Sequence, residues 1–158
     1  MNKIKILFNL GETFFAFQPV FPKIALSGLR VPMTDYRTEA PQILRDFLSY
    51  HETIKAHSRR TVDEYFLDLR NFFRYLKRVR NPALADLDLD EIDIMDVDLE
   101  FVSSVTLTDI YGYMTYLTRD RAQHPNSRNS DYGLNAASRA REIATIRSFY
   151  NYLTNKMH

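Results

Sequence analysis

The 158-residue sequence contains no cysteine. That excludes a disulfide framework, a thiolate nucleophile and any thiolate metal site, and it agrees with a reducing interior, so the expected compartment is the cytoplasm. There are only four glycines, and none opens a phosphate-cradling loop. Paired carboxylates at general acid–base spacing and ligand sets at metal-binding spacing are missing as well. A stand-alone enzyme is therefore the weakest expectation, and no cofactor, metal or small-molecule substrate is expected. Apolar runs are short. The run ILFNL after Lys3 and Lys5 is broken by Gly11 and Glu12 and lacks a clean cleavage pattern, so it predicts neither a bilayer span nor a signal peptide.

What is present is core material and segregated charge. Apolar residues make up 45% of the chain and aromatics 13%, enough for one domain with a proper core. The net charge of +1 is a cancellation. Residues 41–81 hold 9 Lys+Arg against 5 Asp+Glu, and residues 111–158 hold 7 against 3. Between them, residues 82–110 hold none against 9. A partner facing only the basic blocks meets a cationic protein.

The stretch Ser58 to Arg80 predicts a long amphipathic helix. Val62, Tyr65, Phe66, Leu69, Phe72, Phe73 and Leu76 recur at intervals of three and four, which aligns them on one face. Arg59, Arg60, Arg70, Arg74, Lys77 and Arg78 share a sector of about 100° away from that stripe, with Asp63 and Leu67 interrupting it. Ser58 is placed to cap the helix, with Arg59, Arg60 and Thr61 following, so hydroxyls, guanidinium groups and free N–H groups gather at the positive end of the helix dipole. A solvated face is the plain account of such a stripe; the helix entrance favours a phosphate.

Residues 1–37 read as an irregular N-terminal arm, broken by Pro19, Pro22 and Pro32, or as an overextended start ahead of Met33. The helical domain is expected over residues 38–158. Its first helix is predicted from Thr38 or Pro41 to Lys55, with Ile43, Leu44, Phe47, Leu48 and Ile54 as its apolar stripe. Asn81 and Pro82 end the central helix. In residues 83–105 acids alternate with apolar residues, and Asp86, Asp88 and Asp90 copy the first ligand positions of a calcium loop. Glu91 and Val97 stand where that loop needs its glycine and its bidentate glutamate, so an acidic loop pinned by Leu87, Leu89, Ile92, Ile94, Val97 and Leu99 is expected instead. Thr106 to Asp109 predicts a capping-box entry to a helix with Ile110, Tyr113, Met114 and Leu117 on its inner face. Residues 120–135 read as a long polar loop. The last helix is predicted from Ala136 to Met157, with Ile143, Ile146, Phe149, Tyr150, Leu153 and Met157 inward and Arg141, Thr145 and Ser148 outward.

Four motifs follow in order: FLSYH at residues 47–51, S-x-x-T-x-x-x-Y-x-x-D-L-x-x-F-x-x-Y-L from Ser58 to Leu76, T-L-T-D-I-x-x-Y-M-x-x-L from Thr106 to Leu117, and I-R-S-F-Y-N-Y-L from Ile146 to Leu153. Together, over residues 41–155, they resemble the core-binding domain of tyrosine recombinases, the Xer and phage-integrase family. The resemblance implies an all-α, SAM-like bundle of four to five helices that closes one side of a clamp on the recombination site. It implies double-stranded DNA and other recombinase protomers as partners, with no membrane partner. It also implies that the tyrosine nucleophile and its assisting residues belong to a second domain, beginning where this chain stops at His158. No strand cleavage is expected from this polypeptide alone; His57 and Arg60 copy a His-x-x-Arg spacing of the catalytic set at the wrong place in the domain.

The DNA-binding candidates are accordingly Ser58, Arg59, Arg60, Thr61, Arg70, Arg74, Lys77 and Arg78 on the central helix, with Arg139, Arg141, Thr145 and Ser148 on the last. An alternative stands beside this reading: a helical protein-interaction or self-association module whose basic faces receive an acidic partner, such as another copy's Asp86–Glu100 segment.

Overall fold

A computed structural model describes residues 35–121 and 133–156. The helices are α1 (Tyr36–Glu39), α2 (Gln42–Thr53), α3 (Arg59–Arg80), α4 (Leu99–Ser103), α5 (Leu107–Arg119) and α6 (Ala136–Lys156), with 3-10 turns at Pro82–Leu84 and Leu89–Glu91. No strand occurs among the described residues. Residues 1–34 of the expected N-terminal arm, most of the 120–135 loop, and Met157 lie outside them; residues 35–37, assigned to that arm, instead open the domain, with Asp35 capping α1 and Tyr36 buried.

Helix α3 is the axis of the bundle, packing against α2, α5, α6 and both 3-10 turns. Its apolar stripe explains this: Val62, Phe66, Leu69, Phe72, Phe73 and Leu76 are all buried, and α2, α5 and α6 bring Phe47, Tyr113 and Phe149 to meet them. Phe47 and Phe149 meet edge to face with centroids 5.3 Å apart, and Phe72 meets Tyr113 at 5.1 Å. Such contacts hold aromatic cores in a defined arrangement. No described helix is long and apolar enough to cross a membrane.

The helix ends follow local chemistry. Ser58 Oγ accepts from Thr61 N at the start of α3, and Asn81 closes it ahead of Pro82. Thr106 and Asp109 form the reciprocal capping box of α5. Ala56 takes a left-handed φ of 54° in the α2–α3 connection, and the His57 amide donates to the His51 carbonyl at 3.0 Å. Gly133, with φ of 84°, is required where the chain returns toward α6, because a Cβ there would sit 2.0 Å from the Thr118 carbonyl oxygen.

Three core assignments from the sequence are corrected. Ile54 is 71% exposed, because α2 ends before it and the stripe continues instead through His51, four residues after Phe47. Leu87 and Leu99 are exposed and Leu89 is half-buried, so the buried apolar pins of the acidic segment are Ile92, Ile94 and Val97, and its end folds into α4. Thr145 and Glu142 are buried on the inward face of α6, where Ile143 is only partly buried. That helix is rotated so that polar residues enter the core.

Candidate nucleic-acid interface

Both cationic helices meet at one seam, but they do so through only part of the predicted set. Arg59 and Arg60 are exposed at the first turn of α3, next to the cap in which Ser58 and Thr61 hydroxyls lie 2.9 Å apart. Arg141 of α6 crosses to the same end of α3: its Nη1 is 3.1 Å from Glu64 Oε2, and its Nη2 donates to Asp68 Oδ1 at 2.8 Å. Ser148, two turns further along α6, sits 3.5 Å from His51 Nε2. Arg141 of α6 therefore meets the second and third turns of α3, one turn beyond Arg60, while Ser148 meets α2 through His51.

The C-terminal half of α3 is different. Arg74 donates from Nε to the Ile92 carbonyl at 3.0 Å, and from Nη1 to Asp90 Oδ1 at 2.9 Å. Lys77 donates to the Asp93 carbonyl at 2.7 Å and pairs with Asp96. Their side chains are only 13% and 16% exposed. The acidic segment thus covers this part of the basic stripe, held in place by its own buried Ile92, Ile94 and Val97. Arg74 and Lys77, predicted as phosphate contacts, are structural anchors for that segment.

The other candidates fall between these extremes. Arg70 lies over the Phe66 ring with Glu39 3.6 Å from its Nη1, and its Nε is buried without a hydrogen-bond partner among the described residues. Arg78 lies over the Tyr116 ring at 5.5 Å, lining a groove of about 1130 Å³ that Asp88, Asp90 and Glu91 also line. Arg139 donates to the Leu134 carbonyl at the start of α6. Thr145 is corrected outright: it is 1% exposed, with its hydroxyl 2.9 Å from Asp68 Oδ2, so it has no surface to offer a base edge.

Sequence reasoning missed the acids behind this seam. Asp68 is 2% exposed, and burial pushes its carboxyl up to about 6 against the opposing pull of Arg141. Glu142 is buried too, accepting from Tyr113 Oη and from Arg121 Nη1, each at 2.5 Å. The available signal was position: Asp68 lies one turn from both Tyr65 and Phe72, and Glu142 one turn from Ile146, which puts both on the edge of an apolar stripe. In the sequence His51 stands out only as the last residue of FLSYH. It is buried against Phe47 and Tyr65, with its Nδ1 3.3 Å from His57 Nδ1. Burial, then the neighbouring His57 and Lys55, lower it to about 4, so it is neutral near pH 7.

The chain is 43% identical over 116 residues to tyrosine recombinase XerC of Caldanaerobacter subterraneus subsp. tengcongensis, an alignment covering 73% of this chain and 30% of that protein. It is 32% identical over 119 residues to tyrosine recombinase XerC of Myxococcus xanthus, covering 75% of this chain and 29% of the relative. With tyrosine recombinase XerS of Lactococcus lactis subsp. lactis it shares 30% identity over 101 residues, 64% of this chain and 26% of the relative. The chain thus spans less than a third of the length of these curated relatives. No family model and no solved structure matches it. Over the aligned stretch, in ordered motifs carried by an all-α bundle, the chain is a relative of the Xer-type tyrosine recombinases.

Proposed function

We propose that this chain is a DNA-binding domain serving site-specific recombination in the cytoplasm, in company with other recombinase protomers, and that it contributes grip rather than cleavage. It holds the duplex through the seam where α3 begins and α6 crosses it. The observation that carries the reading is the exposed Arg59–Arg60 pair at a Ser58-capped helix start, with Arg141 of α6 held on Glu64 one turn further along α3. Backbone N–H groups, hydroxyls and guanidinium groups there present the donors that phosphate oxygens accept. Arg70 and Arg78 flank this footprint, while Arg74 and Lys77 lie outside it.

Titrating a labelled duplex into the full chain at several salt concentrations tests this. Replacing Arg59 and Arg60 by Gln lowers the slope of log K against log salt by about two units. Unchanged affinity and slope in that double variant would sink the reading.

The interaction-module alternative loses ground on one observation. The acidic segment already meets a basic complement, Arg74 and Lys77, inside the same chain. Sedimentation keeps the two apart: salt-sensitive self-association with no shift on duplex addition favours the module.

A further inference from the structure

Arg141 is held by two carboxylates that differ in kind. Asp68 takes two of its nitrogens, Nη2 at 2.8 Å on Oδ1 and Nε at 3.3 Å on Oδ2. This side-on grip is itself fixed, since the Thr145 hydroxyl lies 2.9 Å from Oδ2 and the Asp68 side chain is 2% exposed. Among the described residues the remaining nitrogen, Nη1, meets Glu64 at 3.1 Å, and the Glu64 side chain is 26% exposed. Arg141 itself remains 34% exposed. Glu64 lies one turn after Arg60 on α3, so Nη1 opens onto the strip that carries the exposed arginines.

An arginine anchored on one edge and open on the other is preorganised for an anion, because its planar fork is already oriented when the ligand arrives. A partly exposed ion pair is screened by water and contributes little, so its carboxylate is readily displaced. Displacing Asp68 is another matter, since it would strand a buried charge.

Resting on the DNA-binding reading above, we infer that Glu64 occupies the place of a DNA backbone phosphate: Arg141 stays anchored to Asp68 through Nε and Nη2 and exchanges Glu64 for a phosphodiester oxygen at Nη1. Asp68 is then a positioning residue, and Glu64 is a built-in competitor that weakens non-specific binding. On exchange the Glu64 side chain turns to solvent, and no covalent chemistry is involved.

The test is a double-mutant cycle on the full chain with a labelled mixed-sequence duplex at low salt, using Glu64→Gln, Arg141→Gln and the two together. Glu64→Gln tightens binding about five-fold, the size of one screened charge contact. Arg141→Gln weakens it and lowers the salt slope by about one unit. In the double variant the gain from Glu64→Gln disappears. Both side chains are partly exposed, and thermal midpoints verify that each variant folds. If Glu64→Gln leaves affinity unchanged, or its gain persists fully in the Arg141→Gln background, the exchange is overturned. Replacing Arg59 and Arg60 separates the two levels of the argument. If that double variant weakens binding and the cycle shows no coupling, only the phosphate exchange falls; if it leaves duplex binding untouched, the surface reading falls and takes the exchange with it.

Discussion

The two halves of α3 carry cations on the same helical stripe, yet they have opposite fates. In the first half Arg59 and Arg60 remain at the surface, and the acids that face α6, Glu64 and Asp68, collect Arg141 from another helix. In the second half Arg74 and Lys77 are drawn into contacts with the acidic segment between α3 and α4, and beside them Arg80 reaches Ser104 Oγ and Asp109 Oδ2 of α5 at 2.8 Å each. The difference teaches that a basic stripe is not itself a binding surface. Its cations can serve a ligand where the fold leaves them at the surface, not where another segment covers them.

The sharpest break comes at the seam. Asp68→Ala leaves the Arg141 guanidinium with only its partly exposed partner and the Thr145 hydroxyl without its carboxylate acceptor, and stability falls by about 3 kcal/mol. The urea midpoint measures it, and a loss below about 1 kcal/mol would mean the seam is held by apolar packing alone.

Next in size is the acid response beside the same seam. His51 is held at about 4 when folded, below the ordinary histidine value, so the unfolded chain takes up its proton first as pH falls. Its contribution is intact above about pH 6.5 and is lost progressively down to about 4; between pH 7 and 5 the loss is about 2 kcal/mol. Asp68, raised to about 6, works in the other direction, because the folded state holds its proton more tightly between about 6 and 4. It therefore masks part of the His51 loss in the wild type. His51→Phe isolates the effect: the stability difference between wild type and variant shifts by about 2 kcal/mol in the variant's favour from pH 7 to pH 5. A pH-independent difference would show that His51 titrates like an exposed imidazole.

Smaller again is the effect on the covered half. Arg74→Gln with Lys77→Gln frees the acidic segment from two partly buried anchors and costs about 1 to 2 kcal/mol, with little change in the salt slope of duplex binding. A slope drop equal to that of the Arg59 and Arg60 variant would erase the distinction between the halves. The smallest stability effect is expected for Arg59→Gln with Arg60→Gln, within about 0.5 kcal/mol, since both are exposed. Thermal denaturation of this variant alongside the duplex titration shows whether binding is lost without structure.

Much of the architecture is legible in the sequence. Intervals of three and four placed Phe66, Leu69, Phe72 and Leu76 on one face, Ser58 and the Thr106–Asp109 box marked helix starts, and Pro82 marked an end, because these are short-range consequences of backbone geometry. Ile54, Leu87 and Leu99 were misplaced because apolar character does not say where a helix stops or which side of a loop turns inward.

The sequence by itself determined the local order: where the main helices begin and end, which faces are apolar, and how charge is divided along the chain. Only the tertiary structure decided which cations are spent. Arg74 and Asp90 are 16 residues apart, and Arg141 and Asp68 are 73 apart. A helical wheel gives a residue's direction about its own axis, whereas such pairings depend on the height and rotation at which separate elements pack. That is why Thr145 went inside, Lys77 was covered and Arg59 was left facing water.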